Sequence, residues 1–366
     1  MPVYKTKIEK TKDNKIWYFM VSYTDLLGNK KRYKSKKYAT KEEATKEEAK
    51  FRISIGQQSS TSPTFNEIFN EYIDMKSRRC RETTIITTKG YYKYIKKFLG
   101  NKKIDKITKK EYVAFQNELN KTSLSTNYKN KIHRLVISLF DYSKLNYNIS
   151  NNVPYNVGKF IDPYNYKEEM QFFTYEEFKT FINYINDTLY SSFFKTLYYC
   201  GLRKGEILAL NWNDVDFNNN TININKSLTT KIKGEKYQIT PPKTPASNRI
   251  LPMTNEVINS LKELYNIYCK LDGFNSECFV FGCFKPIPNT TLERKKNYYC
   301  KQSGVKQIRI HDFRHSCASL LINNDSNPIL VAKYLGHTDV SMTLNRYSHL
   351  YKSKLIELID LINNLN

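Results

Sequence analysis

No two cysteines in this chain are spaced as Cys-x-x-Cys, and the seven present, at positions 80, 200, 269, 278, 283, 300 and 317, are odd in number. Neither a disulfide framework nor a zinc site is signalled, and the thiols read as reduced and cytosolic. No apolar run approaches the roughly 20 residues that a membrane helix needs. The N-terminus, MPVYKTKIEK, is charged and lacks the apolar stretch of a secretory signal. These absences point to a cytoplasmic protein with no membrane partner. Acidic residues are also few: 35 Asp and Glu stand against 59 Lys and Arg, a net charge of +24. The imbalance is uneven along the chain. Residues 1–60 hold 15 basic and 7 acidic side chains, residues 61–160 hold 19 and 8, and residues 161–366 hold 25 and 20. Most of the excess lies in the first 160 residues. A polyanion is the natural partner, and nucleic acid is the leading one. A merely soluble basic protein is the plain alternative.

The 366 residues leave room for two or three domains with real cores. Residues 1–58 read as a small sheet plus a helix. A β-rich run covers residues 15–23, turn chemistry follows at 25–29, and a very basic strand covers 30–36. Thr40-Lys-Glu-Glu43 is a capping box that opens a helix to about Phe51. Lys30, Lys31, Arg32, Lys34 and Lys36 make the second strand cationic enough to lie in a DNA groove or along phosphates. A solvated edge strand guarded by lysines would look the same. Residues 57–63 are small and polar, as in a linker. Residues 64–150 read as all-helical, with starts at Thr64-Phe-Asn-Glu67, about Thr84, Thr108-Lys-Lys-Glu111 and about Thr126. Lys93, Lys96, Lys97, Lys129, Lys131 and Arg134 are candidates for a DNA-facing surface, or for an ordinary soluble one. An Asn- and Pro-rich boundary spans 148–166. Residues 167–366 form the largest domain. It is mostly helical, with strands at 221–225, 237–240 and 249–252 expected to share one small sheet. Pro241-Pro-Lys243-Thr-Pro245 is an extended tip that cannot join a central ladder.

Chemistry-bearing residues concentrate in this last domain. Arg203 begins a helix after a glycine, and Glu206, three residues on, can hold it in orientation. His311 and Arg314 lie three apart at the start of a helix that breaks at 323–328. A second helix from about Pro328 stops at Gly336, and His337 follows where the glycine re-aims the chain. Tyr347 comes ten residues later, after a segment that Asp339 or Ser341 could cap. Guanidiniums fork onto phosphate oxygens, imidazoles add donors, and a phenol placed there can attack phosphorus. Each residue taken singly also fits a surface salt bridge or a helical DNA-binding or core segment. A tyrosine by itself says nothing in a chain that has 29 of them.

Taken in order, Gly201-Leu-Arg203-Lys-Gly-Glu206, Pro-Lys243-Thr, His311-Asp-Phe-Arg314-His, Leu335-Gly-His337 and Tyr347 resemble the catalytic set of the tyrosine recombinases, the phage-integrase family. The resemblance covers residues from about 60 to 350. The basic N-terminus is similar to the arm-binding domain of conjugative-transposon and temperate-phage integrases. One departure is Phe313, where the family more often has leucine; an apolar swap should pack. The resemblance implies a multidomain α+β fold. A three-stranded sheet plus helix (1–58) binds arm-type DNA, a SAM-like helical bundle (64–150) binds core DNA, and a mostly α catalytic domain with a small antiparallel sheet (167–366) follows. It implies that Tyr347 is the nucleophile and forms a 3′-phosphotyrosine. Arg203, Arg314, His311 and His337 would bind the phosphate, with His311 also assisting the tyrosine proton, Glu206 orienting and Lys243 as general acid. Neither metal nor ATP would be needed. The partners would be double-stranded DNA and three further copies in a synaptic tetramer, with an excision factor as a further partner. A bacterial cytoplasm and its nucleoid would be the setting. A topoisomerase of the same chemistry, a plasmid- or chromosome-dimer-resolving recombinase and an inactive DNA-binding regulator are the alternatives. The separate basic N-terminus argues against the first two, and the complete residue set against the third. The apolar C-terminal residues 353–365 need a docking surface, on this domain or on a neighbour.

Overall fold

The computed structural model describes residues 3–6, 16–24, 30–58, 62–149, 152–162, 170–230, 232, 236–242, 244–352 and 363. Lys243 and the expected C-terminal docking segment, apart from residue 363, lie outside the described residues. The chain falls into two compact units, residues 1–164 and 165–366.

In the first unit, β1 (Val3–Lys5), β2 (Trp17–Thr24) and β3 (Lys30–Lys34) pair antiparallel in that order. Alternation sets the faces: Phe19 and Val21 of β2 point inward, two residues apart. Helix α1 (Lys41–Gln58) opens where the Glu43 N–H donates to Thr40 Oγ1 at 3.2 Å. Its Phe51 ring stacks on Tyr33 of β3, with centroids 4.0 Å apart. The helix runs one to two turns beyond the expected end near Phe51. Gln57 and Gln58 tolerate a helix, and no proline intervenes before Pro63.

The helices that follow are α2 (Phe65–Ser77), α3 (Glu82–Leu99), α4 (Lys109–Asn120), α5 (Thr126–Tyr147) and α6 (Val153–Val157). Capping boxes close the starts of α2 and α4, at Thr64 with Glu67 and at Thr108 with Glu111. Phe65, Phe69, Tyr92, Tyr112, Phe115 and Phe140 fill one shared core. Helix α6 falls in the stretch read above as boundary. The residues that suggested a break are helix-start residues: the Asn152 side chain accepts from the Tyr155 N–H, and Pro154 occupies the first turn.

The second unit contains α7 (Tyr175–Asn183), α8 (Thr188–Cys200) and α9 (Lys204–Ala209), then the strands β4 (Val215–Asp216), β5 (Thr221–Ile224), β6 (Ser227–Thr229), β7 (Gln238–Thr240) and β8 (Arg249–Pro252). Helices α10 (Asn255–Tyr268), α11 (Asn289–Ser303), α12 (Asp312–Asn323), α13 (Pro328–Leu335) and α14 (Ser341–Lys352) complete it. The three strands expected in one sheet do not share it. β5 and β8 pair with each other and β4 adds to β5, whereas β7 closes a separate two-stranded ribbon with β6. The prolines at 241, 242 and 245 cannot carry a ladder from β7 into β8, so β7 pairs with its near neighbour in sequence. Helix α8 is buried along most of its length. Phe313 of α12 is fully buried among Phe173, Phe181 and Phe194, at 5.2 to 5.7 Å between centroids, so the aromatic packs into the core. A second, smaller cluster gathers Cys317, Ala318, Ile322, Val331, Leu335 and Tyr347 from α12, α13 and α14.

Gly201 joins α8 to α9 with φ of +59°, and a Cβ there would meet Leu335 Cδ2 at 2.6 Å and Cys317 Sγ at 3.0 Å. Gly201→Ala should therefore destabilise the second unit by about 2 kcal/mol or more, the left-handed backbone alone costing about 1–2 kcal/mol. Denaturant unfolding followed through buried Trp212 measures the loss.

Candidate active site

Helix α13 is eight residues long and stops at Gly336, which has φ of +68°. The last carbonyls of a helix have no N–H partner within it and carry its negative dipole end. Here three consecutive ones are taken by three arginines from elsewhere in the chain. Arg249 Nε donates to the Tyr334 carbonyl at 2.9 Å, Arg314 Nη2 to that of Leu335 at 2.5 Å, and Arg203 Nη2 to that of Gly336 at 2.8 Å. Arg314 Nη1 also reaches the Gly201 carbonyl at 2.9 Å, so both left-handed glycine turns face the same guanidinium.

Glu206, buried on the first turn of α9, balances this charge. Its Oε1 accepts from Arg203 Nη1 at 2.7 Å. Its Oε2 accepts from the Arg203 N–H at 3.0 Å and from Arg249 Nη2 at 3.2 Å. Burial by itself would raise the Glu206 pKa, but the Arg249 charge and the Arg203 N–H and guanidinium outweigh it, and the carboxyl is held below its ordinary value of 4.5. Arg314 is buried, and burial followed by repulsion from Arg203 draws its pKa down. Arg203 keeps 35 % of its side chain exposed, which leaves it room for a ligand.

The imidazoles and the phenol sit beside this cluster. His311 precedes α12 and is exposed; Arg314 is buried one turn later. Asp312, between them, is buried and clamped by Arg309, whose Nε and Nη2 each lie 3.0 Å from a carboxylate oxygen. His337 Nδ1 is 2.7 Å from Thr343 Oγ1 on α14. Burial, then Arg314 and Arg203, push the His337 pKa down to about 4, so the ring is neutral at pH 7. His311 is lowered as well, first by desolvation and then by Arg314. Tyr347 is 1 % exposed, and its hydroxyl is 2.6 Å from His315 Nδ1. Burial pushes its pKa up to about 12, against the opposing pull of Arg314 and Arg346.

Of the residues expected at the site, Arg203, Glu206 and Arg314 join one hydrogen-bonded network with the α13 end, and His337 follows that end directly. The neighbours of Lys243 are tied to the same network: Thr244 Oγ1 bonds Ser247 Oγ at 3.0 Å, and Ser247 Oγ accepts from Arg203 at 3.3 Å. Two residues were missed in the sequence. Arg249 looks like any basic residue at the start of a strand, and nothing local marks it. His315 stands four residues after His311, on the same helix face, and that spacing was its available signal. Among the basic residues expected to meet DNA, Lys30, Lys31, Arg32, Lys34, Lys36, Lys93, Lys96, Lys97, Lys131 and Arg134 are exposed. Lys129 is a correction: it is buried, with Nζ 3.4 Å from Asn120 Oδ1. It shares the inward face of α5 with Ile132, His133 and Val136, three, four and seven residues on.

A mostly helical unit that gathers arginines, imidazoles and a tyrosine is suited to a phosphodiester, which defines the class of DNA strand-breaking and rejoining proteins. The comparisons agree. Residues 171–354 match the phage integrase family, residues 64–120 its N-terminal SAM-like domain and residues 6–55 an arm DNA-binding domain. The ICEBs1 integrase of Bacillus subtilis is 32 % identical over 284 residues, 75 % of each protein. The Tn1549 transposon integrase, solved with transposon right end DNA, is 20 % identical with a TM-score of 0.68, covering 81 % of this chain and 100 % of that one. A lambda integrase tetramer bound to a Holliday junction is 14 % identical with a TM-score of 0.57, covering 92 % and 95 %. The chain belongs to the phage integrase family. It is a tyrosine site-specific recombinase, an integrase with an arm DNA-binding region ahead of a SAM-like domain.

The depressed Glu206 pKa has a signed consequence. Its folded value lies below its unfolded one, so the stability it adds is present above about 4.5 and is lost as pH falls through the folded value. Glu206→Gln should lower unfolding free energy at pH 7 by about 1–3 kcal/mol. The gap from wild type should close in acid, as read by urea unfolding at a series of pH values.

Proposed function

We propose that Tyr347 is the nucleophile by which this integrase cuts and rejoins a mobile element's DNA. The observation that carries the assignment is the single network joining Arg203, Glu206 and Arg314 to the end of α13, with Tyr347 packed against that helix. The phenolic oxygen attacks a DNA phosphate, a 3′-phosphotyrosine forms, and a 5′-hydroxyl leaves. Arg203 and Arg314 hold the nonbridging oxygens and stabilise the charge of the pentacoordinate state. His311 and His337 donate to the same phosphate, and Lys243 protonates the leaving 5′-oxygen. Glu206 keeps Arg203 aimed. The covalent link preserves the energy of the broken ester, so rejoining needs no ATP. Two guanidiniums and a lysine supply the positive charge that a metal would otherwise bring.

The remaining residues divide the DNA between them. In this reading residues 1–58 bind arm sites, 64–150 grip the core site and 167–366 carry the chemistry. The family matches to the first two regions and the exposed cationic strand β3 support it. Four copies assemble on two duplexes, as the lambda integrase tetramer on a Holliday junction supports. An excision factor would bias direction, and the reaction takes place in the bacterial cytoplasm, on nucleoid DNA.

A nicked suicide substrate tests the chemistry. Wild type should become covalently attached to the DNA, and Tyr347→Phe should not. Arg314→Lys should bind the same duplex while cleaving at least about 10²-fold more slowly, because an ammonium cannot replace the fork. Equal loss of binding and cleavage would make Arg314 structural. For the N-terminus, replacing Lys30, Lys31 and Arg32 with alanine should flatten the salt dependence of arm-DNA binding by up to about 3 in log–log slope. Cleavage of an isolated core site should be unchanged.

A further inference from the structure

We infer that His315 is a further catalytic residue, the group that takes the phenolic proton of Tyr347 during attack and returns it during rejoining. The inference rests on Tyr347 being the nucleophile. It begins from a short hydrogen bond of the phenol: Tyr347 Oη lies 2.6 Å from His315 Nδ1, and both side chains are buried. With hydrogen on Nε2, Nδ1 presents a lone pair to the phenol O–H.

Both ends of this contact are fixed. The α12 backbone around His315 is pinned by Arg314, which holds two carbonyls, and by Ser316 Oγ, which donates to the Asp312 carbonyl and accepts from the Phe173 N–H. The Tyr347 ring is packed among Cys317, Ala318, Ile322, Val331 and Leu335. The groups with charge or titratable protons that face His315 are His311, just before α12, Asp312 and Arg314 on α12, and Arg346 and Tyr347 on α14; α13 contributes Val331 and Leu335 to the same cluster. Burial, then His311 and Arg346, lower the His315 pKa to about 4, which keeps the imidazole neutral and able to accept. The need for a base is plain, since the phenol's own pKa is raised to about 12. Arg314 and Arg346 both favour the phenolate as it develops.

The atoms balance. The O–H proton of Tyr347 moves to His315 Nδ1 as the Tyr347 O–P bond forms. The P–O5′ bond breaks, and the 5′-oxygen takes a proton from the general acid. On rejoining, a 5′-hydroxyl attacks phosphorus and passes its proton to that acid's conjugate base. The Tyr347 O–P bond breaks, and the departing phenolate takes back the proton from His315. His311, exposed and edge-on to His315 at 5.0 Å between ring centroids, is left free to serve the phosphate.

The test uses the full-length protein, the nicked substrate and single-turnover cleavage at pH 7. In His315→Asn the amide can still bond the phenol but cannot take its proton. Cleavage should fall about 10²-fold or more, with DNA affinity kept. Replacing Tyr347 with 3,5-difluorotyrosine, whose proton is far more acidic, should recover at least about tenfold of that loss while changing the wild-type rate little. His315→Ala should be rescued by added imidazole. If His315→Asn cleaved at the wild-type rate or faster, the contact would be a resting place for the tyrosine and the inference would fail. A deficit identical with either phenol, together with no imidazole rescue, would make His315 a packing residue and overturn it equally. Absence of any wild-type adduct would instead defeat Tyr347 as nucleophile, so the two failures are distinguishable.

Discussion

The end of one short helix organises the second unit of this integrase. Gly336 turns the chain out of α13, and the carbonyls of Tyr334, Leu335 and Gly336 are left facing Arg249, Arg314 and Arg203. These arginines come from three separate elements: the start of β8, the first turn of α12 and the cap of α9. One buried terminus thus brings together residues more than a hundred positions apart. The attraction has two parts, the unpaired carbonyls and the negative end of the helix dipole.

Bringing several guanidiniums together in a buried place is costly unless something answers their charge. Glu206 answers two of them, and their charges hold its carboxyl below its ordinary pKa in spite of burial. The remaining surplus of positive charge is what an anionic phosphate would meet. The same surplus bears on the titratable groups nearby. His337 and His315 are kept neutral by burial and by surrounding cations, while Tyr347 is kept protonated by burial in spite of them. A neutral imidazole in contact with a reluctant phenol is a pairing that favours proton transfer only once the phenolate gains something to attack.

Much of this was legible in the chain. The capping boxes at Thr64 and Thr108 set helix starts that the structure reproduces, because a cap is a local contact between residues three apart. The glycine stop before His337 was read for the same reason. The sheet was misread because residues 237–240 carry a strand pattern but no mark of their partner, and that partner is the short strand at 227–229, which was not among the expected strands. Lys129 was misplaced because a lysine on a helix is ordinarily outward, and only the phase it shares with Ile132 and Val136 shows otherwise.

The order of Arg203, Glu206, Lys243, His311, Arg314, His337 and Tyr347 was enough to identify the family and the reaction class, since the types of group a phosphodiester requires are few and their spacing is written in one dimension. The partners of Arg249 and His315 became visible only in three dimensions. Arg249 matters through a carbonyl 85 residues away, and His315 through a phenol 32 residues away. Neither distance has a periodicity that a sequence can display. A hydrogen bond between remote segments exists only after packing has brought them together, and packing is decided by the whole core.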